Sequence, residues 1–204
     1  MTSRTIILAS GSAIRADILR NAGLSFEIMR PDVDEDIIKQ RCFEEGLDLE
    51  ATALALAEAK SLAVAVGETT VGEDDLVIGS DQILEFEGRP FDKPKSMAEA
   101  RARLLDMAGK PHTLINAVAV SRGRNLRWRH IDRPRLMMRS FTAGQIDAYL
   151  DAAGPDILNS VGAYQVEKLG ARLFERIDGD HYAVLGLSLY PLLEFLRQEG
   201  ALAF

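Results

Sequence analysis

The sequence predicts one α/β domain of two lobes, a mixed and twisted sheet flanked by helices. Ile6-Ile7-Leu8 reads as a buried strand that runs through the small-residue turn Ala9-Ser10-Gly11-Ser12 into an amphipathic helix. An Ala-, Leu- and Glu-rich helix over 47–66, stopped by Gly67, precedes a second apolar strand, Leu76-Val77-Ile78. Capped helices and turn-separated strands then alternate to the end of the chain, with no repeat, low-complexity segment or linker.

A chain of 204 residues can bury a full core, as one domain or as a domain with a sizeable lobe. Its 47% hydrophobic and 27% charged residues are the balance of a soluble globular protein. No apolar run is long enough to span a bilayer, and no charged-then-apolar leader opens the chain. Cys42, the single cysteine, excludes an internal disulfide and a cysteine metal cluster. Together these point to the cytoplasm. A net charge of −7 speaks against a general nucleic-acid or membrane surface. A phosphate ligand needs only a local group of Lys and Arg, so it stays open.

The first helix carries Ile14, Ile18, Leu19 and Ala22 on its apolar side. Its N-terminus offers unpaired backbone N–H groups and the positive end of the dipole, to which Ser10 and Ser12 add hydroxyls and Arg15 a cation. That is a phosphate site, or else an ordinary βα turn with Ser12 as N-cap. Gly23 stops the helix, and a short strand spans 25–29. Asp32-Val33-Asp34-Glu35-Asp36 follows Pro31 and reads as a solvated loop, the charged first turn of a helix, or a cation site. Lys60, on the long helix, is by type a solubility residue.

Leu76-Val77-Ile78 is followed by Gly79-Ser80-Asp81-Gln82 and then Ile83-Leu84, the small residues before Asp81 leaving room for a substrate. A carboxylate at the C-terminal end of a buried strand lies where α/β folds place ligands. Asp81 would need a cation, a donor or water beside it. Glu87-Gly88 makes a turn, and Lys93 stands in a Pro-stiffened loop before a helix opened by the capping box Ser96–Glu99. The location suits either a phosphate contact or a plain surface lysine.

A strand over 112–121 turns at Arg122-Gly123-Arg124-Asn125 into a return strand over 126–138, where Pro134 argues for an edge. His112, His130 and His181 share no ligand spacing and read as structural. Thr142 caps a helix closed by Gly154-Pro155, and an irregular polar segment spans 159–169. A hairpin is expected over 173–185, with its turn at Asp178-Gly179-Asp180, and Ser188 is expected to cap a last helix to Glu199.

Leu8-Ala9-Ser10-Gly11-Ser12-Ala13-Ile14-Arg15 resembles the LAS-x-S-P-R-R signature of the Maf (septum formation inhibitor) family. Asp34-Glu35, Glu58-Ala59-Lys60, Gly79-Ser80-Asp81-Gln82, Lys93-Pro94 and Ala108-Gly109-Lys110-Pro111-His112 follow in the family's order. Gly162-Ala163-Tyr164, Glu167, Phe174–Gly179 and Gly186-Leu187 complete the resemblance, which covers nearly the whole chain.

It implies a cytoplasmic, usually dimeric enzyme of a fold related to inosine triphosphate pyrophosphatases. The implied reaction converts a nucleoside triphosphate to the monophosphate and pyrophosphate with a divalent metal, Mg²⁺ or Mn²⁺, and removes non-standard or excess nucleotides. On this resemblance Ser10, Ser12, Arg15, Lys60 and Lys93 hold the triphosphate, Glu35 and Asp81 take the metal, and Asp81 accepts the proton of the attacking water. Substrate choice would rest on Ile14, Gln82 and Glu167. These positions are typically Arg, Thr and Gln in the dTTP/UTP subgroup, and Trp, Gln and Glu in the 7-methyl-GTP subgroup. Gln82 and Glu167 match the second, and a carboxylate can pair with the N1–H and amino edge of guanine. Ile14 matches neither. The alternative is a nucleotide-binding regulator of cell division that does not depend on catalysis.

Overall fold

The computed structural model describes residues 4–67 and 70–204. In chain order the elements are β1 (Ile6–Ala9), α1 (Ala13–Asn21), β2 (Glu27–Met29), α2 (Glu35–Glu44), α3 (Leu49–Gly67), β3 (Leu76–Phe86) and β4 (Arg89–Phe91). They continue with α4 (Met97–Met107), β5 (Pro111–Arg122), β6 (Asn125–Asp132), β7 (Arg135–Met138), α5 (Ala143–Ala153), β8 (Phe174–Asp178), α6 (His181–Val184) and α7 (Leu189–Gln198). The architecture is mixed α/β, and no described helix is long and apolar enough to cross a membrane. The chain divides into two compact units: one of residues 1–81, 116–132 and 186–204, the other of 82–115 and 133–185.

In the first unit the strands follow the order β2-β1-β3-β5, with β6 on β5. β1 pairs in parallel with both neighbours, Leu8 opposite Ile28 on one side and Ile78 on the other. All four of its residues are buried, as a parallel strand covered on both faces requires. α3 turns Ala53, Leu56, Ala57, Lys60, Ser61 and Val64 inward, a single helical stripe. Trp128 on β6 stacks on Phe195 of α7 and on His130, so His130 is a structural ring. Ala22, expected on the apolar side of α1, is instead its exposed C-cap; the helix ends there, and Leu24 turns inward in its place.

β3 corrects an expectation. Asp81, expected at the C-terminal end of a strand over 76–78, lies inside it, because the strand is continuous over 11 residues. Gly79 is small for another reason: a Cβ there would lie 2.2 Å from the carbonyl oxygen of Ala57 and 2.7 Å from the amide nitrogen of Ser61. α3 therefore rests directly on the β3 backbone, and Ser61 Oγ donates to Val77 O at 2.7 Å.

In the second unit β4 pairs antiparallel with β3 across the Glu87-Gly88 turn, whose φ values of 51° and 77° are those of a two-residue hairpin turn. The order β5-β7-β8 completes its strands. The return strand expected over 126–138 is broken at Arg133-Pro134, where proline cannot donate to a ladder, into β6 and β7. Pro134 is not on an edge: β7 lies between β5 and β8, and Pro134 O accepts from Leu114 N at 3.0 Å. The expected hairpin over 173–185 is also absent. β8 pairs with β7, and Asp180 caps α6 by accepting from Ala183 N at 2.8 Å. Leu84, Phe86, Leu104, Met107, Leu136 and Ile146 lead the core of this unit.

Candidate active site

The turn after β1 is organised by hydroxyls. Ser10 Oγ accepts from Ser12 N at 3.2 Å, and Ser12, the N-cap of α1, accepts from Arg15 N at 3.5 Å. The Arg15 side chain folds back under the turn. Its Nε donates to Gly186 O at 2.8 Å, and its Nη1 donates to Ser80 O at 2.8 Å and to Ser10 Oγ at 3.4 Å. Burial pulls the Arg15 pKa below its ordinary value, an effect opposed by the charges of Asp81 and Glu35. A guanidinium stays protonated regardless, so the turn holds a fixed, partly desolvated cation.

Strand periodicity explains the next layer. Residues two apart share a face, so Gly79 and Asp81 both look toward α3, while Ser80 looks the other way and donates to Gly186 O at 3.0 Å. On the α3 side, Lys60 Nζ donates to Asp81 Oδ1 at 2.6 Å and lies 2.8 Å from Glu35 Oε1. Asp81 is 7% exposed and Lys60 9%, so each charge would be costly alone and is offset by the other.

The acidic run resolves into separate tasks. Asp34 caps α2 by accepting from Ile37 N at 3.1 Å. Glu35, in the first turn, is the one drawn to Lys60. Asp32 and Asp36 face solvent. Ser10, Ser12, Arg15, Glu35, Lys60 and Asp81 are thus gathered in one unit as two sets of short contacts, one about the Arg15 guanidinium and one about the Lys60 ammonium, with the charges of Asp81 and Glu35 acting on Arg15.

A divalent cation fits the donor set. Glu35 and Asp81 supply hard carboxylate oxygens that share one ammonium, so they are no farther apart than its two short contacts allow. Among the described residues no group of three or more His, Cys, Asp or Glu side chains converges. A cation here would complete its shell from phosphate oxygens and water.

Gln82, Lys93 and Glu167 belong to the second unit. Gln82 Nε2 donates to Ala183 O at 2.8 Å and Val184 O at 3.3 Å, so its amide nitrogen is held by α6. Lys93 is exposed in the loop between β4 and α4. Glu167 is exposed too, and its charge adds to burial in pushing the Tyr149 phenol up to about 12. Ile14 is half-buried in the first turn of α1.

Sequence reasoning missed the parts that hold Arg15. Ser80 was visible only as a small residue, and Gly186 only as part of a motif without a role. Missed as well was the order within 159–169, where Gly162, Ala163 and Tyr164 are buried. Tyr149 donates to Ala163 O at 3.2 Å, and Tyr164 Oη lies 2.7 Å from His112 Nε2. Arg30 also went unnoticed, although a Cβ on Gly11 would meet its Nε at 3.4 Å, which puts a second cation over the turn.

A family model described as "Maf-like protein" matches residues 5–199. A protein of Gluconobacter oxydans named nucleoside triphosphate pyrophosphatase is 43% identical over 98% of both chains. One of the same name from Maricaulis maris is 45% identical, over 96% of this chain and 97% of that one. A protein of Rhizobium meliloti named 7-methyl-GTP pyrophosphatase is 42% identical over 97% of both. Among solved structures, a HAM1 protein from Coxiella burnetii covers 83% of this chain and 98% of its own at 14% identity and a TM-score of 0.43, a distant likeness.

Proposed function

The chain belongs to the Maf-like protein family, and on that premise we propose that it hydrolyses a nucleoside triphosphate to the monophosphate and pyrophosphate. The observation that carries the reading is Lys60, bonded at once to the buried Asp81 and to Glu35, in the same unit as the Arg15 turn. Attack at the α-phosphorus needs neutralised phosphate charge and a positioned water. Ser10, Ser12 and Arg15 offer hydroxyl and guanidinium donors to the triphosphate, and Lys60 adds an ammonium. Lys93 is assigned to the same substrate on the family resemblance.

Lys60 occupies Asp81 Oδ1 and leaves Oδ2 to take the proton of the attacking water. The new bond joins that water's oxygen to the α-phosphorus. The bond to the bridging oxygen breaks, and pyrophosphate leaves with the electron pair. An ordinary aspartate, with a pKa of roughly 3.9, is a weak base for free water. A divalent cation such as Mg²⁺ or Mn²⁺, held by Glu35 and Asp81, would supply charge neutralisation and a more acidic water when bound.

For the base, the reading leans to a purine or a modified purine such as 7-methyl-GTP. Glu167 offers a carboxylate for the guanine edge, Gln82 an amide oxygen, and a relative named for that substrate is similar over nearly its full length. Ile14 fits neither subgroup pattern. A cytoplasmic homodimer completes the proposal, with fractionation and sedimentation as its checks.

The deciding experiment measures products from a panel of nucleoside triphosphates with Mg²⁺ or Mn²⁺. Monophosphate and pyrophosphate are expected. Diphosphate, or full activity in Asp81→Asn, would overturn the reading, and retained nucleotide binding without turnover would favour the regulatory alternative.

A further inference from the structure

Arg15 is held by backbone that lies far from it in the chain, and that backbone is itself held. A guanidinium carries five N–H donors. Nε is taken by Gly186 O, and Nη1 by Ser80 O and Ser10 Oγ. Nη2 keeps both of its hydrogens for a ligand, since no described residue accepts from it. Where that edge points depends on Gly186 O, which Arg15 and Ser80 both use.

Gly186 has a φ of 102°, a conformation that only glycine adopts readily, so its carbonyl is set by a backbone that other residues would not hold. Asn116, on β5, is fully buried. Its amide is satisfied at both ends in one orientation: Nδ2 donates to Gly186 O at 2.9 Å, while Oδ1 accepts from Ser188 N at 3.1 Å and Ser188 Oγ at 2.8 Å. This explains why Ser188, at the N-cap position of α7, makes no side-chain capping bond. Its hydroxyl is committed to Asn116.

Resting on the pyrophosphatase reading, we infer that Asn116 is a positioning residue for Arg15. It clamps both ends of the Gly186–Ser188 segment, so the carbonyl that receives Arg15 Nε stays in place and the free Nη2 edge is presented to phosphate without rearrangement. A preorganised fork loses less freedom on binding than one that must be ordered by the ligand.

The test is a double-mutant cycle of Asn116→Leu and Arg15→Ala, read by calorimetric binding of inorganic tripolyphosphate with Mg²⁺ and by KM and kcat for hydrolysis. Asn116→Leu should weaken tripolyphosphate binding about tenfold and raise KM more than it lowers kcat. In the Arg15→Ala background the same change should do nothing further. Additive effects, an unaltered Asn116→Leu protein, or a wild type that does not bind tripolyphosphate each overturn the inference. If Asn116→Leu melts below assay temperature, Ser188→Ala takes its place in the cycle under the same criteria. A wild type that binds tripolyphosphate but releases no pyrophosphate from any nucleotide refutes the enzyme reading, while the binding cycle still decides on Asn116.

Discussion

Lys60 Nζ lies 2.6 Å from Asp81 Oδ1, and the two side chains are each 11% exposed. The pair exists because Gly79, two residues before Asp81 on the same strand face, lets α3 rest on β3 without a side chain between them. The buried carboxylate thereby meets its cation across the helix–strand contact.

Lys60→Met removes the ammonium and leaves Asp81 buried beside Glu35 without its cation. Stability should fall by about 3 kcal/mol, the usual cost of stranding one partner of a buried pair. Turnover should fall on the order of a hundredfold, as for loss of one electrostatic donor. Denaturant unfolding and steady-state kinetics check the two halves separately. Asp81→Asn should lose at least about a hundredfold in kcat, the range for a positioned base.

Gly79→Ala tests how the pair is assembled. A Cβ 2.2 Å from Ala57 O has no room, and the obstacle is backbone rather than a flexible side chain. The helix must move off the strand, costing about 1–3 kcal/mol. Because Lys60 moves with α3, activity should drop although no catalytic group is changed. A variant with wild-type melting and wild-type turnover would refute the close-approach argument.

Acid stability should carry the signature of His112. It is buried against Tyr164 and Phe174, and burial lowers its pKa from 6.5 to about 4. Its folded form thus binds its proton less readily than the unfolded form. The stability linked to this group is complete above pH 6.5 and is lost as pH falls from 6.5 toward about 4. The loss is up to about 3 kcal/mol, from 1.4 kcal/mol per unit. In His112→Gln the curve of unfolding free energy against pH should flatten across that window. An unchanged slope would show that other groups dominate.

Metal dependence should track Glu35. Chelation with EDTA should abolish pyrophosphate release, with recovery on adding Mg²⁺ or Mn²⁺. Glu35→Gln should raise the metal concentration for half-maximal activity at least about tenfold, since one of the two proposed carboxylate ligands is gone. Activity in EDTA equal to that in metal would exclude the proposed role.

The turn at Ser10–Ser12, the cap on α1, the long helix bearing Lys60 and the capped helices α4 and α5 were legible because neighbouring residues decide them. Small residues close a turn, a side-chain oxygen caps an N-terminus, and apolar spacing picks a helical face. The misreadings share the opposite character. Gly79-Ser80 looked like room left for a substrate at a strand end, yet what keeps Gly79 small is a helix that arrives from residues 49–67. The segment over 182–185 looked like a strand, but Asp180 caps a helical turn over His181–Val184, and β8 found its partner in β7. Ser188 looked like a cap until Asn116, 72 positions earlier, claimed its hydroxyl.

The same division runs through the site. Charge and hydroxyl chemistry are properties of single side chains and marked Ser10, Ser12, Arg15 and Asp81, whereas Glu35 and Lys60 were nominated only by the motif order of the family resemblance. Which carboxylate receives Lys60, and which carbonyl receives an arginine 171 positions away, depends on folding distant segments against one another. Local propensity carries no information about those pairings. They are set by the close approach at Gly79 and the backbone turn at Gly186, where packing and sterics leave one arrangement.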